Sequence, residues 1–157
     1  MVRWLNDEEQ QAWLRLAGVM LKLAPALDSQ LQRDSELTQF DYLCLAMLSE
    51  VDGRTLRMSE LAIQVNSSLS RLSHVVKKLE ARGWVSRTPC PDSRRVTMVS
   101  LTEVGWQVLE SAAPGHVETV RALVFDGLTE QEVRQLHALA GHIVARIESA
   151  DLGSLNG

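Results

Sequence analysis

Apolar residues along this chain fall into helical stripes near both ends and into two short alternating runs in the middle. The first stripe, Trp13, Ala17, Met20, Ala24, Leu27 and Leu31, advances by steps of 4, 3, 4, 3 and 4, the recurrence of a helix with one apolar seam. Asn6 and Glu9 have capping-box spacing just before it, so the pattern predicts a helix over 7–33. Pro25 lies inside and lacks an N–H, which predicts a kink. Thr38 caps a second helix whose apolar positions are Phe40, Leu43, Cys44, Met47, Leu48 and Val51. After the turn Asp52-Gly53, the run Thr55-Leu56-Arg57-Met58 reads as a short strand able to pair with a later hairpin.

The middle of the chain changes period twice. Met58 to Val65 is a short apolar helix pattern, Asn66-Ser67-Ser68 a polar turn, and the longer helix after it places Leu69, Leu72, Val76 and Leu79 on one stripe. Gly83 tolerates the positive φ of a helix end, and Trp84-Val85-Ser86-Arg87-Thr88 then alternates as a strand does. Pro89 to Arg94 reads as a loop with two prolines, and Arg95 to Leu101 as a second strand. Two helices followed by a β-hairpin make a winged helix-turn-helix lobe over 38–101, in a chain that is otherwise mainly α.

Thr102 opens a connecting helix over 102–125, in which Pro114-Gly115 predicts a kink or brief break. Thr129 with Glu132 is a further capping box and starts a helix over 129–148 with Val133, Leu136, Ala140, Ile143 and Ile147 on one face. Stripe-bearing helices at opposite chain ends suit a dimerisation layer, with Trp13, Leu16, Met20, Leu136, Ala140, Ile143 and Ile147 at the interface. Asp151 to Gly157 is a polar, glycine-containing tail expected to fray. At 157 residues the chain has the size of a single domain.

Charge sharpens the middle segment. From Arg71 to Arg95 there are seven basic residues against two acidic ones, a surplus of five, whereas the whole chain carries −4. Such polarity presents one basic face to a polyanion and an acidic remainder elsewhere. Ser67, Ser68, Ser70, Arg71, Ser73, His74, Lys77 and Lys78 fall around the side of the longer helix opposite its stripe. Ser, Arg, His and Lys there can pair with base edges and phosphates in a major groove, with Ser70, Arg71 and His74 expected near the bases and Lys77 and Lys78 nearer the phosphates. Arg87, Arg94 and Arg95 bring the hairpin to the same polyanion, with Arg94 suited to an adjoining minor groove.

These residues resemble the MarR family of bacterial transcription regulators. The matching stretches are Met58-Ser59-Glu60-Leu61-Ala62, Ser70-Arg71-Leu72-Ser73-His74-Val75-Val76, Leu79-Glu80-Ala81-Arg82-Gly83-Trp84-Val85, and Asp92-Ser93-Arg94-Arg95 through Leu101-Thr102-Glu103-Val104-Gly105. Helix order outside the motif also fits, up to about Glu148. Ser93 stands where many family wings place an Asp, and the acid here is Asp92. The resemblance implies a homodimeric repressor that reads an imperfect palindrome in double-stranded DNA, with room for release by a small aromatic or phenolic effector. Such a protein is expected in the cytoplasm.

Other chemistry is poorly served. The four histidines, His74, His116, His137 and His142, never fall at i, i+4 spacing, and no His/Cys cluster occurs, so neither a metal nor a cofactor is expected. No glycine-rich phosphate loop or nucleophile elbow is present, which argues against an enzyme. No run approaches a membrane span and the N-terminus lacks a signal-peptide pattern. Cys44 lies on an apolar stripe, whereas Cys90 reads as exposed in the loop near the wing, beside arginines that would favour its thiolate. Two alternatives stay open: a winged-helix module docking an acidic protein partner, and a redox sensor acting through Cys90.

Overall fold

In a computed structural model of the chain, residues 1–154 are described, with side chains to residue 150. Its contacts divide it into two units, Met1–Val117 and Glu118–Gly157. The first unit opens with α1 (Asp7–Ser35), capped as expected by Asn6, whose side chain accepts from the Glu9 N–H while Glu9 returns to the Asn6 N–H. The helix is unbroken across Pro25. It ends at Glu36, a left-handed residue at φ 53° whose N–H reaches Gln32 O while that of Leu37 reaches Leu31 O, a closure of the αL type. Thr38 and Asp41 form a second capping box that opens α2 (Gln39–Ser49). On α2, Leu45 is fully buried and Leu43 is exposed, so the core face runs through Asp41, Cys44, Leu45 and Leu48 and omits a position that the simple stripe included.

A short turn, Asp52–Arg54, leads to β1 (Thr55–Arg57), α3 (Met58–Gln64) and α4 (Leu69–Ala81). The turn between α3 and α4 passes through Asn66 at φ 50°, a conformation that asparagine accepts more readily than most residues. α4 ends at Gly83, φ 76°, with the Trp84 N–H returning to Leu79 O. The sheet order is β1-β3-β2, all antiparallel, with β2 (Val85–Cys90) and β3 (Ser93–Leu101) forming the wing. Leu56 faces Val99 and Val85 faces Leu101 across the ladders.

The wing departs from the sequence expectation. Pro89 and Cys90 belong to β2, and Ser93 and Arg94 to β3, so the loop shrinks to Pro91-Asp92. Pro89 cannot donate to a ladder, and it sits on the edge strand where the register shifts between Pro89 and Cys90, as a bulge allows.

The core of this unit gathers Leu31, Leu37, Leu45, Leu48, Leu61, Leu72, Val76, Leu79 and Val99, all essentially without solvent contact. α5 (Glu103–Val120) is held against the end of α4. Thr102 Oγ1 donates to Gly83 O at 2.6 Å and accepts from the Gly105 N–H, while the Thr102 N–H donates to Trp84 O at 3.0 Å. Gly105 is required there, because a Cβ would lie 2.0 Å from Trp84 O. α5 continues through Pro114 without the expected interruption.

In the second unit the irregularity comes later, as a π turn at Arg121–Phe125. Thr129 and Glu132 cap α6 (Glu130–Ser154), which runs past the expected end at 148. The tail expected to fray is therefore helical as far as Ser154, and its last residues, 155–157, lie outside the described ones.

Candidate nucleic-acid interface

The site is built on α4. Ser68 is its N-cap, with Oγ accepting from the Arg71 N–H at 3.2 Å, a contact of the kind that contributes about 1 kcal/mol. Leu72, Val76 and Leu79 are buried, which fixes the rotation of the helix about its axis. Ser70, Ser73, His74 and Lys77 are consequently exposed on the outer crest, where they line a shallow open depression together with Arg71 and Val75. Lys77 forms no ion pair among the described residues. Leu69, placed on the buried stripe by its spacing, is 54% exposed. The first turn of α4 overhangs the core, so the stripe begins at Leu72.

The other basic residues divide into held and free ones. Lys78 reaches back to α2, its Nζ 2.7 Å from Asp41 Oδ1 and donating to Oδ2 at 2.9 Å. Asp41 is 2% exposed and already caps α2 through the Thr38 N–H, so Lys78 neutralises a buried carboxylate. The Arg71 guanidinium lies 4.4 Å from the Phe40 ring centre, which draws it toward α2 while it remains exposed. Arg82 stacks on Trp84 at 4.4 Å and donates to Glu36 O at 3.2 Å.

Arg87 is bound to Glu80, with Nη2 donating to Oε1 at 3.0 Å and Nε near both oxygens. Its backbone N–H donates to Oε2 at 2.9 Å. These hydrogen bonds from Arg87 hold the Glu80 carboxyl below its ordinary pKa, and Glu80 raises that of Arg87. Arg87 thus ties the wing to α4. Arg94 and Arg95 are exposed and unpaired among the described residues. Asp92 makes no ion pair with them. Ser93 Oγ accepts from the Arg95 N–H at 3.3 Å, so serine supports the turn where the family pattern has an acid.

The structural partners Asp41 and Glu80 escaped the sequence reading. Asp41 stands three residues after Thr38, a visible capping signal, yet its pairing with Lys78 spans 37 residues and has no local signature.

Both cysteines are buried, Cys44 at 0% and Cys90 at 8% exposure. This corrects the expectation for Cys90: the residue closes β2 opposite Ser93 and is not part of an open loop. Burial, and then the Asp41 charge, push the Cys44 thiol up to about 12. His116 packs on Tyr42 with ring centres 4.4 Å apart, and burial pushes its pKa down. Among the described residues no His, Cys, Asp and Glu group could hold a metal, and no helix is long and apolar enough to cross a membrane.

A helix-turn-helix followed by a two-strand wing, whose sheet is completed by the short strand before the first of the two helices, defines a winged-helix protein. The chain belongs to the MarR family of transcription regulators, whose family model matches residues 37–97. Sco3205, a MarR family transcriptional regulator from Streptomyces coelicolor solved in complex with DNA, is 43% identical. Its TM-score is 0.87, over 92% of this chain and 90% of that one. AbsC, a MarR family transcriptional regulator from the same organism, is 36% identical with a TM-score of 0.88, over 94% of this chain and 99% of that one. Transcriptional repressor MprA of Escherichia coli is 24% identical over 110 residues; the match covers 70% of this chain, and the chain spans only 62% of that relative's length.

Proposed function

We propose that this protein binds double-stranded DNA as a homodimer and represses transcription, with α4 in the major groove and the wing beside it. The observation that carries the reading is the crest of α4, where Ser70, Ser73, His74 and Lys77 are all exposed on a helix whose opposite side is fixed in the core. Ser70, Ser73 and His74 lie nearest the base edges. Arg71, drawn to the flank by Phe40, and Lys77 serve phosphates, as do Ser67 and Ser68 at the turn. Arg94 and Arg95 serve the minor groove and its backbone. The relative solved with DNA and the relative named as a repressor support the same reading.

A second copy would cover the apolar stripes. Trp13, Leu16 and Met20 on α1 are 51%, 36% and 53% exposed, and Leu136, Ile143 and Ile147 on α6 are 41%, 44% and 57% exposed, with Ala140 exposed between them. Surfaces so apolar on a DNA-binding chain fit a dimer interface. The work of such a regulator places it in the cytoplasm. Release by a small aromatic or phenolic effector requires only that the effector prefer a dimer whose two α4 helices no longer match one turn of DNA. A redox role is disfavoured by the burial of both cysteines.

The test is titration of the full chain against duplexes selected from a random library. A dimer predicts an imperfect palindrome with half-sites about 10 bp apart. With roughly four phosphate contacts per subunit, log affinity should fall with log salt at a slope near about −7. Inserting 5 bp between half-sites should abolish tight binding. Undiminished affinity for that duplex would refute two-site reading, and absence of salt-dependent duplex binding would refute the DNA assignment in favour of a protein partner.

A further inference from the structure

We infer that Leu69 is a specificity-determining residue that reads the 5-methyl group of a thymine, an inference that rests on α4 being the recognition helix. Leu69 is the first residue of α4, directly after the Ser68 cap. Folding does not account for it. Leu72, one turn on, is 0% exposed, whereas Leu69 is 54% exposed, so most of its side chain stands outside the core that its stripe serves. Its helix-surface neighbour at i+4 is Ser73, and Ser70 and His74 lie further round the first two turns; all three are exposed hydrogen-bonding groups.

The position decides what an apolar group can do there. N-terminal residues of a recognition helix approach base edges most closely. In the major groove the thymine methyl is the apolar feature that a leucine can bury. On the other side of the Asn66-Ser67-Ser68 turn, Ile63 is 81% exposed, so two branched apolar side chains bracket the entry to the helix. Serine and histidine pair with donors and acceptors of any base, and Leu69 supplies the preference for thymine over cytosine that they lack.

The test replaces thymidines of the selected duplex one at a time by deoxyuridine, which removes only the methyl group. Wild-type protein and Leu69→Ala are titrated against each duplex. Alanine is a good helix former, so circular dichroism should show the variant folded. At one position per half-site the wild type should lose roughly fourfold in affinity on loss of the methyl. Leu69→Ala should bind the two forms of that duplex alike, with the profile at all other positions retained. Wild type and Leu69→Ala sharing one deoxyuridine profile on a specifically selected duplex would overturn the inference and leave the recognition-helix reading standing. If the wild type selects no sequence at all, that reading fails and the role of Leu69 with it. Because the deoxyuridine series keeps the wild-type protein constant, a wild type indifferent to every methyl overturns the inference even if the variant misfolds.

Discussion

On the outer crest of α4, Lys77 stands in solvent without an ion-pair partner among the described residues. One residue on, at the flank facing α2, Lys78 lies 2.7 Å from a carboxylate that is 2% exposed. The wing repeats the contrast: Arg94 has no ion-pair partner among the described residues, whereas Arg87 is fastened to Glu80 by three side-chain contacts and a backbone N–H. Residue type does not separate the two groups. What separates them is the direction in which each side chain leaves an element whose rotation the core has already fixed. Lys78 and Arg87, held by buried or half-buried carboxylates, position the helix and the wing, and the cations without such a partner are left for a polyanion.

The contrast can be broken first at its foundation. Gly105→Ala alters no cation, yet its Cβ would fall 2.0 Å from Trp84 O at the exit of α4. Overpacking against backbone should cost about 3 kcal/mol. Thermal unfolding should show a large drop in Tm, with DNA affinity lost through the fold. An unchanged Tm would mean that α5 shifts freely and does not anchor α4.

The pair of lysines gives the next largest effect. Lys78→Ala leaves Asp41 buried without its counter-charge. Since the Lys78 side chain is about half exposed, the cost should be about 1–2 kcal/mol, below that of a fully buried pair. Lys77→Ala should stay within about 0.5 kcal/mol of wild type in urea unfolding. It should also lower the salt slope of DNA binding by about 2 for a dimer. The contrast collapses if the two variants have equal stability and equal salt slopes.

The smallest effect concerns a held histidine. Burial against Tyr42 lowers the His116 pKa from its ordinary 6.5. The unfolded chain therefore takes up the proton first, and this part of the stability is full above about pH 6.5 and declines as pH falls toward the folded value. Asp34 and Glu80, whose carboxyls are held low by hydrogen bonds from Gln30 and Arg87 respectively, lose their contributions only at more acid pH. Between about pH 6.5 and 5, His116→Phe should flatten the loss of stability seen in wild-type urea melts. An identical slope in both proteins would place the titrating group elsewhere.

Local signals were sufficient wherever the physics is local. Capping at Asn6, Thr38 and Thr129, the left-handed exit at Gly83, and the periodicities of α3, α4 and the wing strands depend on neighbours within a few residues. All were legible in the chain. So were the surplus of positive charge on α4 and the wing and the residue types on its crest, because spacing along a helix sets which side chains share a face. Tertiary structure decided the rest. The pairing of Lys78 with Asp41, the capture of Arg87 by Glu80, the contact of Arg71 with Phe40 and the exposure of Leu69 each depend on which elements meet. Periodicity assigns a residue to a face but does not say where along the helix the partner surface stops. For that reason Leu69 reads as core in the sequence and stands outside it in the fold, and Cys90 reads as loop and is buried at the end of a strand.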